Sequence, residues 1–267
     1  MYQAHWGLRD DPFRNRLDTR RFQRSAVYDE ALARLHFLIE GNWRFGLILG
    51  PAGVGKSLLA AVFCDELRRQ VAQVGRLNLR GVDATETPWR LAVALGLSPA
   101  ASELPATIWR RISDRLVEHR YQRMPTVLVI DDLDRASASV HEQVARLLAS
   151  DSAPDARLTL IGTGDASNLP RLGRLLQQVD LRIDLAPWTL EETEAYLTAA
   201  LERSGCRRPV FTREAIEKVF ELAQGNPRRT NQLAEMSILA GAAAELTQIG
   251  ADTIEGVEYE LGIPTSI

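Results

Sequence analysis

A glycine-rich stretch, GPAGVGKS at residues 50–57, has the spacing of a phosphate-binding loop. Glycines let successive backbone N–H groups converge on phosphate oxygens, and the N-terminus of a following helix adds partial positive charge. The stretch therefore predicts a site for a nucleoside triphosphate. The contacting residues would be those of the motif and the one after it: Gly50, Pro51, Ala52, Gly53, Val54, Gly55, Lys56, Ser57 and Leu58.

Lys56 and Ser57 supply the charge and the metal ligand of this predicted site. The chain has 32 basic residues, and only Lys56 and Lys218 among them are lysines. A lysine at position 56, in a chain that otherwise uses arginine, indicates a specific requirement. Lys56 would reach the β- and γ-phosphates, and the Ser57 hydroxyl would ligate Mg²⁺.

A second motif, VLVIDD at residues 127–132, is an apolar run that ends in two carboxylates. Such a run predicts a buried strand, which delivers its last side chains to the carboxyl edge of a parallel sheet. Asp131 would hold Mg²⁺ directly or through water, and Asp132 would polarise the attacking water. Asp132 is one methylene shorter than glutamate, so it is either a working catalytic group or too short to act.

Thr163 and Arg228 complete the predicted site. Thr163 lies in LTLIGTGD at 158–165, at the end of the predicted fourth strand. There it either senses the γ-phosphate or orients water, or it is only a strand-end turn residue. Arg228 lies in GNPRRTN at 225–231, in the first turn of a predicted helix. There its guanidinium would reach the phosphates and couple the helix to the nucleotide state. The alternative for Arg228 is a solvated arginine at a helix start.

Short apolar segments, separated by longer helical patterns, must position these residues. The predicted strands are 45–49, 76–79, 126–130, 158–161 and 182–185. Strands that alternate with helices indicate an α/β fold with a parallel sheet. Ser25 is placed to cap the first long helix, and a second helix runs from the glycine-rich loop to about Leu67.

After Pro187 the strand pattern stops and only helical patterns follow. We therefore predict a nucleotide-binding α/β domain at 1–186, with an N-terminal segment and first helix at 1–43. A small all-helical lid domain would occupy 187–267. The expected arrangement is a sheet domain that holds the phosphates, followed by a lid.

The lid helices are predicted from their caps. Thr189 and Glu192 have the spacing of a capping box, which predicts a helix to about residue 203. A second helix is expected at about 213–223, and a third opens at Pro227, because proline is tolerated in the first turn. The pair at 252 and 255, Asp and Glu, repeats the box spacing for a last short helix.

Composition excludes several classes of protein. The net charge of −3 neither demands nor excludes a nucleic acid partner. The longest stretch without charged residues, 91–102, is well short of the roughly 20 apolar residues that span a bilayer. Charged residues at 9–11 occupy the place of a signal-peptide core. We predict a cytoplasmic protein without a membrane segment. Cys64 and Cys206 are far apart and favour free buried thiols over a disulfide or metal site.

Taken in order, these motifs resemble those of an AAA+ ATPase. The opening narrows the resemblance to ATPases of the general secretion pathway protein A (ExeA-like) type, through HWGL at 5–8, DPF at 11–13 and EAL at 30–32. LAPWTLEETEAYL at 185–197 and GNPRRTN match later segments of that family. The resemblance covers residues 1 to about 245. It implies a P-loop NTPase with a five-stranded parallel sheet and helices on both faces, Mg²⁺-dependent ATP hydrolysis with ADP as product, and a homo-oligomer, either ring or filament.

The chain departs from the family pattern in two places. The family tends to carry an LRQRI-like segment before the last strand, a source of the arginine finger that completes a neighbour's site. Here 175–179 reads LLQQV, so the candidates become Arg171, Arg174 or Arg182. The usual Asp-Glu pair is Asp-Asp.

Three functions fit these observations. The first is an ATPase that couples its nucleotide state to remodelling of a partner or to its own assembly. The second is an ATP-dependent DNA-binding ATPase similar to transposition-targeting proteins of the Mu and TniB kinds. In that case the arginine-rich segments 14–24 and 207–229 would contact DNA phosphates rather than form a solvated surface. The third is a nucleotide-binding switch with little turnover.

Overall fold

The fold is taken from a computed structural model, which describes residues 2–70, 73–151 and 153–262. Its centre is a five-stranded parallel sheet with the order β2-β3-β4-β1-β5. The strands are β1 Phe45–Leu49, β2 Gln73–Asn78, β3 Thr126–Asp131, β4 Leu158–Gly164 and β5 Leu181–Asp184. The predicted α/β class and parallel sheet are confirmed.

Helices connect the strands and make up most of the rest. They are α1 Tyr2–Trp6, α2 Ala26–Glu40, α3 Lys56–Arg68, α4 Thr87–Ala94, α5 Pro105–Tyr121, α6 Ala138–Ala149, α7 Leu190–Arg203, α8 Arg213–Ala223, α9 Pro227–Ala243 and α10 Ala251–Glu260. Three 3-10 segments lie at Thr19–Arg21, Leu133–Arg135 and Ala166–Gln178. Residues 263–267, the end of the predicted lid, lie outside the described residues.

Both faces of the sheet are covered. On one face, Leu47 of β1 packs in a core with Trp109 and Ile112 of α5. On the other face, Gly46 lies so close to Leu38 of α2 that an added Cβ would come within 2.9 Å of the leucine side chain. Every residue of β1, β3 and β4 is buried, as expected for central parallel strands with helices on both sides.

The chain forms two compact units. Of the described residues, those within 26–52 and 56–185 form one unit, and those within 1–25, 53–55 and 186–267 form the other. In the second unit, Trp6 and Phe13 are buried with Leu197 and Leu233 in one apolar core. The aromatic side chains of the N-terminal segment therefore belong to the core of the helical unit.

Capping explains where most helices of this unit begin. Thr189 and Glu192 form the predicted capping box at the start of α7. The predicted cap of the last helix is wrong, although the helix itself exists. Gly250 is the N-cap of α10, which places Asp252 inside the first turn. The reason is the preceding bridge between Phe211 and Ile249, which keeps the chain extended up to Gly250.

Two further predictions can be checked against the fold. Cys64 and Cys206 are both buried and free, as expected. Burial raises the pKa of the Cys64 thiol to about 11. Within the described residues, no helix is both long and apolar enough to cross a membrane.

Candidate nucleotide-binding site

The glycine-rich loop joins β1 to α3, as predicted. Its lysine, Lys56, is the first residue of α3, and its Nζ donates to the carbonyl oxygens of Gly50 at 2.7 Å and Pro51 at 2.9 Å. The ammonium group therefore lies over the loop whose backbone would surround a phosphate. Gly53 and Gly55 have φ values of 88° and 94°, which glycine adopts without strain.

Three carboxylates act electrostatically on Lys56. Burial lowers the pKa of its ammonium group below the ordinary value, while Asp165, Asp134 and Asp132 raise it in that order of strength. These acids follow the ends of β3 and β4, so the sheet topology brings them to the lysine. They favour the charged form of Lys56, which is the form that binds phosphate.

Asp131 is the last residue of β3, and its two carboxylate oxygens have different partners. Thr163 donates its hydroxyl to Oδ1 at 3.2 Å. Arg76 of β2 donates its Nε to Oδ2 at 2.7 Å, and its Nη2 bonds the same oxygen. The acid predicted to hold Mg²⁺ is therefore ion-paired with a residue that the sequence did not single out.

Asp132 leaves the strand in a left-handed conformation, with φ 51° and ψ 37°. Aspartate tolerates this region better than most side chains. Its backbone N–H donates to the Thr163 hydroxyl at 3.0 Å, and its carboxylate accepts a long bond of 3.4 Å from Asn78. The sharp turn separates the directions of the two neighbouring acids.

Thr163 is fully buried in β4. Its hydroxyl donates to Asp131 and accepts from the Asp132 N–H, so it ties the end of β4 to the end of β3. That it senses a γ-phosphate stays a prediction.

Asp134 and Asp165 are two further acids of the candidate site that sequence reasoning missed. Asp134 is only 2% exposed. Its Oδ2 accepts from Asn168 at 2.8 Å, and its Oδ1 has no hydrogen-bond partner among the described residues. Asp165 caps the following 3-10 segment by accepting from the Ser167 N–H. The available signals were a third acid in DDLD and an acid directly after the β4 strand.

Arg228 lies in the first turn of α9, with an exposed side chain. Asn226 caps this helix by accepting from the N–H groups of Arg228 and Arg229. The Arg228 N–H also donates to the carbonyl oxygen of Gly53 at 3.3 Å, so the tip of the glycine-rich loop contacts the start of α9. A Cβ on Gly53 would come within 2.5 Å of Asn226 Oδ1.

The three arginine-finger candidates lie in or after the segment Ala166–Gln178. Arg171 and Arg174 are exposed in that segment. Arg182 is exposed on β5 and forms an ion pair with Asp184 at 2.7 Å. Its charge is therefore offset within its own strand.

The donor set suits Mg²⁺. Ser57 offers a hydroxyl at the start of α3, and Asp131 offers a carboxylate at the end of β3. Hard oxygen ligands of this kind, one or two from protein and the rest from water and phosphates, are what Mg²⁺ uses in nucleotide sites. Ser57 and Asp131 would hold the ion, and the ion would offset the charge of the phosphates.

Comparison with solved structures identifies proteins with the same fold. CDC6P from Pyrobaculum aerophilum has a TM-score of 0.73 and 18% identity, with 96% of this chain and 75% of that chain covered. Drosophila ORC bound to DNA gives 0.74 and 18%, with 98% and 66% covered. The Thermotoga maritima RuvB Holliday junction branch migration motor gives 0.60 and 17%, with 88% and 70% covered. At these identities the likeness shows the fold alone.

Sequence comparison narrows the family. General secretion pathway protein A of Aeromonas hydrophila is 24% identical over 275 residues, which cover 98% of this chain and 48% of the relative. The chain thus spans about half the length of that relative. Residues 22–161, more than half of the chain, match the AAA ATPase domain family, and this match includes the glycine-rich loop and both acids of β3. The chain belongs to the AAA ATPase domain family.

Proposed function

We propose that the chain binds MgATP at residues 50–58 and hydrolyses it, and that the nucleotide state drives rearrangement of a partner or of its own assembly. The observation that supports this most is the position of Lys56. Its ammonium lies over the glycine-rich loop and interacts electrostatically with carboxylates from the ends of two strands. Such a site combines a phosphate-binding cation with carboxylates that can hold a metal ion and polarise water.

Each residue has a distinct role in this proposal. Lys56 and the loop N–H groups bind the phosphates, and Ser57 and Asp131 hold Mg²⁺. Asp132 polarises the attacking water, and Arg228 responds to the phosphates from α9. The ion, when bound, stabilises the charge that develops on the phosphates.

Calorimetry with MgATP tests binding. Lys56→Ala should weaken the affinity by about a hundredfold, because it removes the cation that contacts the phosphates. The matched control is Lys218→Ala, which removes the other lysine. Lys218 lies on α8 and pairs with Glu221 and Glu255. Equal affinities for the two variants would contradict the proposed site.

Measurement of ATP turnover distinguishes an ATP-hydrolysing protein from a nucleotide-binding switch with little turnover. Asp132→Asn should keep MgATP binding and lose hydrolysis, because the amide cannot accept a proton from water. Asp132→Glu lengthens the side chain by one methylene. A large gain in rate with glutamate would favour the switch, in which aspartate is too short to act. A similar or lower rate would favour hydrolysis by Asp132 itself.

A neighbouring subunit is proposed to complete the catalytic site with an arginine. The exposed positions of Arg171 and Arg174 favour them over Arg182, whose charge Asp184 offsets. ATP turnover per subunit should then rise with protein concentration, and Arg171→Ala or Arg174→Ala should remove the rise. Turnover that stays constant over a wide dilution range would contradict completion by a neighbour.

ATP-dependent DNA binding is the second candidate, favoured by the fold shared with Drosophila ORC bound to DNA. The arginine-rich segments give it less support, because many of their charges are offset within the chain. Among these pairs are Arg14 with Asp11, Arg20 with Asp18, Arg21 with Asp10, Arg213 with Glu217 and Arg229 with Glu258. A gel shift over a salt series, with and without ATP, tests it. Absence of salt-sensitive, ATP-dependent binding would remove this candidate.

A further inference from the structure

The ion pair between Asp131 and Arg76 lies where the proposed function needs a magnesium ligand. In the sheet, Arg76 of β2 is in register with Val129 of β3, two residues before Asp131. Side chains two residues apart in a strand point to the same face. Arg76 and Asp131 are therefore diagonal neighbours on one face, and both guanidinium contacts go to a single oxygen, Oδ2.

This ion pair is partly shielded from water. The Arg76 side chain is 24% exposed and that of Asp131 is 10% exposed. Both groups also influence the pKa of the Cys64 thiol, so they lie close to the buried face of α3. Charges interact more strongly in such surroundings than at the surface. The guanidinium therefore offsets part of the negative charge that Asp131 would offer to a cation.

Arg76 differs from most other arginines of the chain in its position in the sheet rather than in its residue type. Arginine is the general basic residue of this chain, so its choice over lysine carries little information. Many of the other ion pairs join well-exposed side chains within one helix, as Arg34 and Glu30 do in α2. Arg76 instead reaches across from the edge strand to the acid at the end of β3.

We propose that Arg76 competes with Mg²⁺ for Asp131 and thereby sets the magnesium concentration at which the nucleotide site fills. This inference rests on the proposed function. A divalent ion at Asp131 must share a carboxylate that already carries a guanidinium, or displace that guanidinium. Arg76 thus weakens magnesium binding and is a positioning residue, because it acts through Asp131.

The test measures magnesium affinity directly. A fluorescent ADP is bound to the protein in the presence of a chelator, and the complex is titrated with Mg²⁺ while the fluorescence is followed. Arg76→Met removes the charge and keeps most of the length. We expect its apparent Kd for Mg²⁺ to fall about tenfold, which corresponds to about 1.4 kcal/mol. Arg76→Lys keeps the charge and should stay close to the wild type.

A matched control removes a similar ion pair elsewhere. Arg120 pairs with Asp151 at 2.6 Å, and these side chains are 19% and 2% exposed. Arg120→Met should leave the magnesium affinity unchanged. If Arg76→Met does not fold, Arg76→Gln replaces it, because the amide keeps a hydrogen-bond donor without the charge.

The outcomes separate the two proposals. An unchanged or weaker magnesium affinity in the neutral Arg76 variants, with ADP binding intact, would overturn the competition and leave Arg76 as a simple support for Asp131. A wild-type protein that binds neither ADP nor ATP, with or without Mg²⁺, would instead contradict the proposed function.

Discussion

The acids at the ends of β3 and β4 are all aspartates, but each has a different partner. The pairs are Asp131 with Arg76, Asp132 with Asn78, Asp134 with Asn168 and Asp165 with Ser167. A carboxylate bonded to a guanidinium has its charge offset, whereas one bonded to an amide keeps it. The acids therefore differ in what they can offer to a metal ion, to water or to Lys56.

Thr163 connects two of these acids through one hydroxyl group. Thr163→Val keeps the shape of the side chain but leaves the Asp132 N–H and one Asp131 oxygen without this partner. Because both groups lie at a buried strand end, we expect the free energy of unfolding to fall by about 1–3 kcal/mol. Urea unfolding measures this loss.

Thr163→Ser is the control for this change, because it retains the hydroxyl. It should lose less stability than the valine variant. If both variants unfold at the same urea concentration as the wild type, the hydroxyl contributes nothing to the joining of the strands.

At the scale of elements, α5 is joined to β3 by a buried histidine. His119 of α5 is 1% exposed, and its Nδ1 lies 2.8 Å from the Thr126 hydroxyl. Burial lowers the pKa of His119 below its ordinary value, and Arg115 lowers it further, while Glu118 opposes this shift. The neutral ring is therefore the form that the packed helix accepts.

This shift predicts a loss of stability in acid. Between the lowered pKa of the folded state and the ordinary value of 6.5, the unfolded chain binds more protons than the folded chain. The contribution of His119 is thus complete above 6.5 and decreases as the pH falls below it. The Tm should fall between about pH 8 and about pH 5, and His119→Gln should show a smaller fall over the same range. Parallel curves for the two proteins would refute this assignment.

The sequence predicted some elements better than others, for physical reasons. The strands β1, β3 and β4 were found because continuous apolar runs mark strands that are buried on both faces. The edge strand β2 begins at Gln73, earlier than the predicted 76, because its polar residues and Gly75 give no such run. The capping box at Thr189 is a local signal, so the sequence predicts it. The extended conformation of Gly250 depends on the bridge between Phe211 and Ile249, which are far apart in sequence, so no local pattern predicts it.

The same distinction applies to the candidate site. The loop around Lys56 and the acid pair after β3 have local spacing that a sequence displays. The neighbours Arg76 and Asn78 are brought to that pair only by the register between β2 and β3. Asp165 affects the charge of Lys56 because β4 lies beside β1. Such proximity has no local pattern, so sequence reasoning missed these residues.

At the scale of the whole molecule, the N-terminal segment contributes to the core of the helical unit. Trp6 is 1% exposed, and its indole N–H donates to the carbonyl oxygen of Ile238 at 2.8 Å. The guanidinium of Arg208 lies 5.1 Å from the centre of its ring. Trp6 thus contacts two residues that are more than two hundred positions later in the sequence.

Trp6→Ala should therefore destabilise the helical unit. Loss of a buried tryptophan costs about 3–5 kcal/mol, because it leaves a large cavity. Hydrogen exchange should become faster in α8, α9 and α10, while the amides of the sheet keep their protection. Trp43→Ala, at an exposed tryptophan of the other unit, is the control and should change neither region strongly. Equal acceleration in the sheet and in α9 would contradict the assignment of Trp6 to the core of the helical unit.

The strand order also has a consequence for synthesis on the ribosome. The strand that leads into the glycine-rich loop lies between β4 and β5, which are the last two strands of the sheet to be made. Synthesis proceeds at on the order of 10 residues per second. Many seconds therefore pass between the synthesis of β1 and that of either neighbouring strand. A nascent chain therefore acquires its ATP-binding capacity late, and nucleotide can stabilise the newborn protein only after most of the sheet has left the exit tunnel.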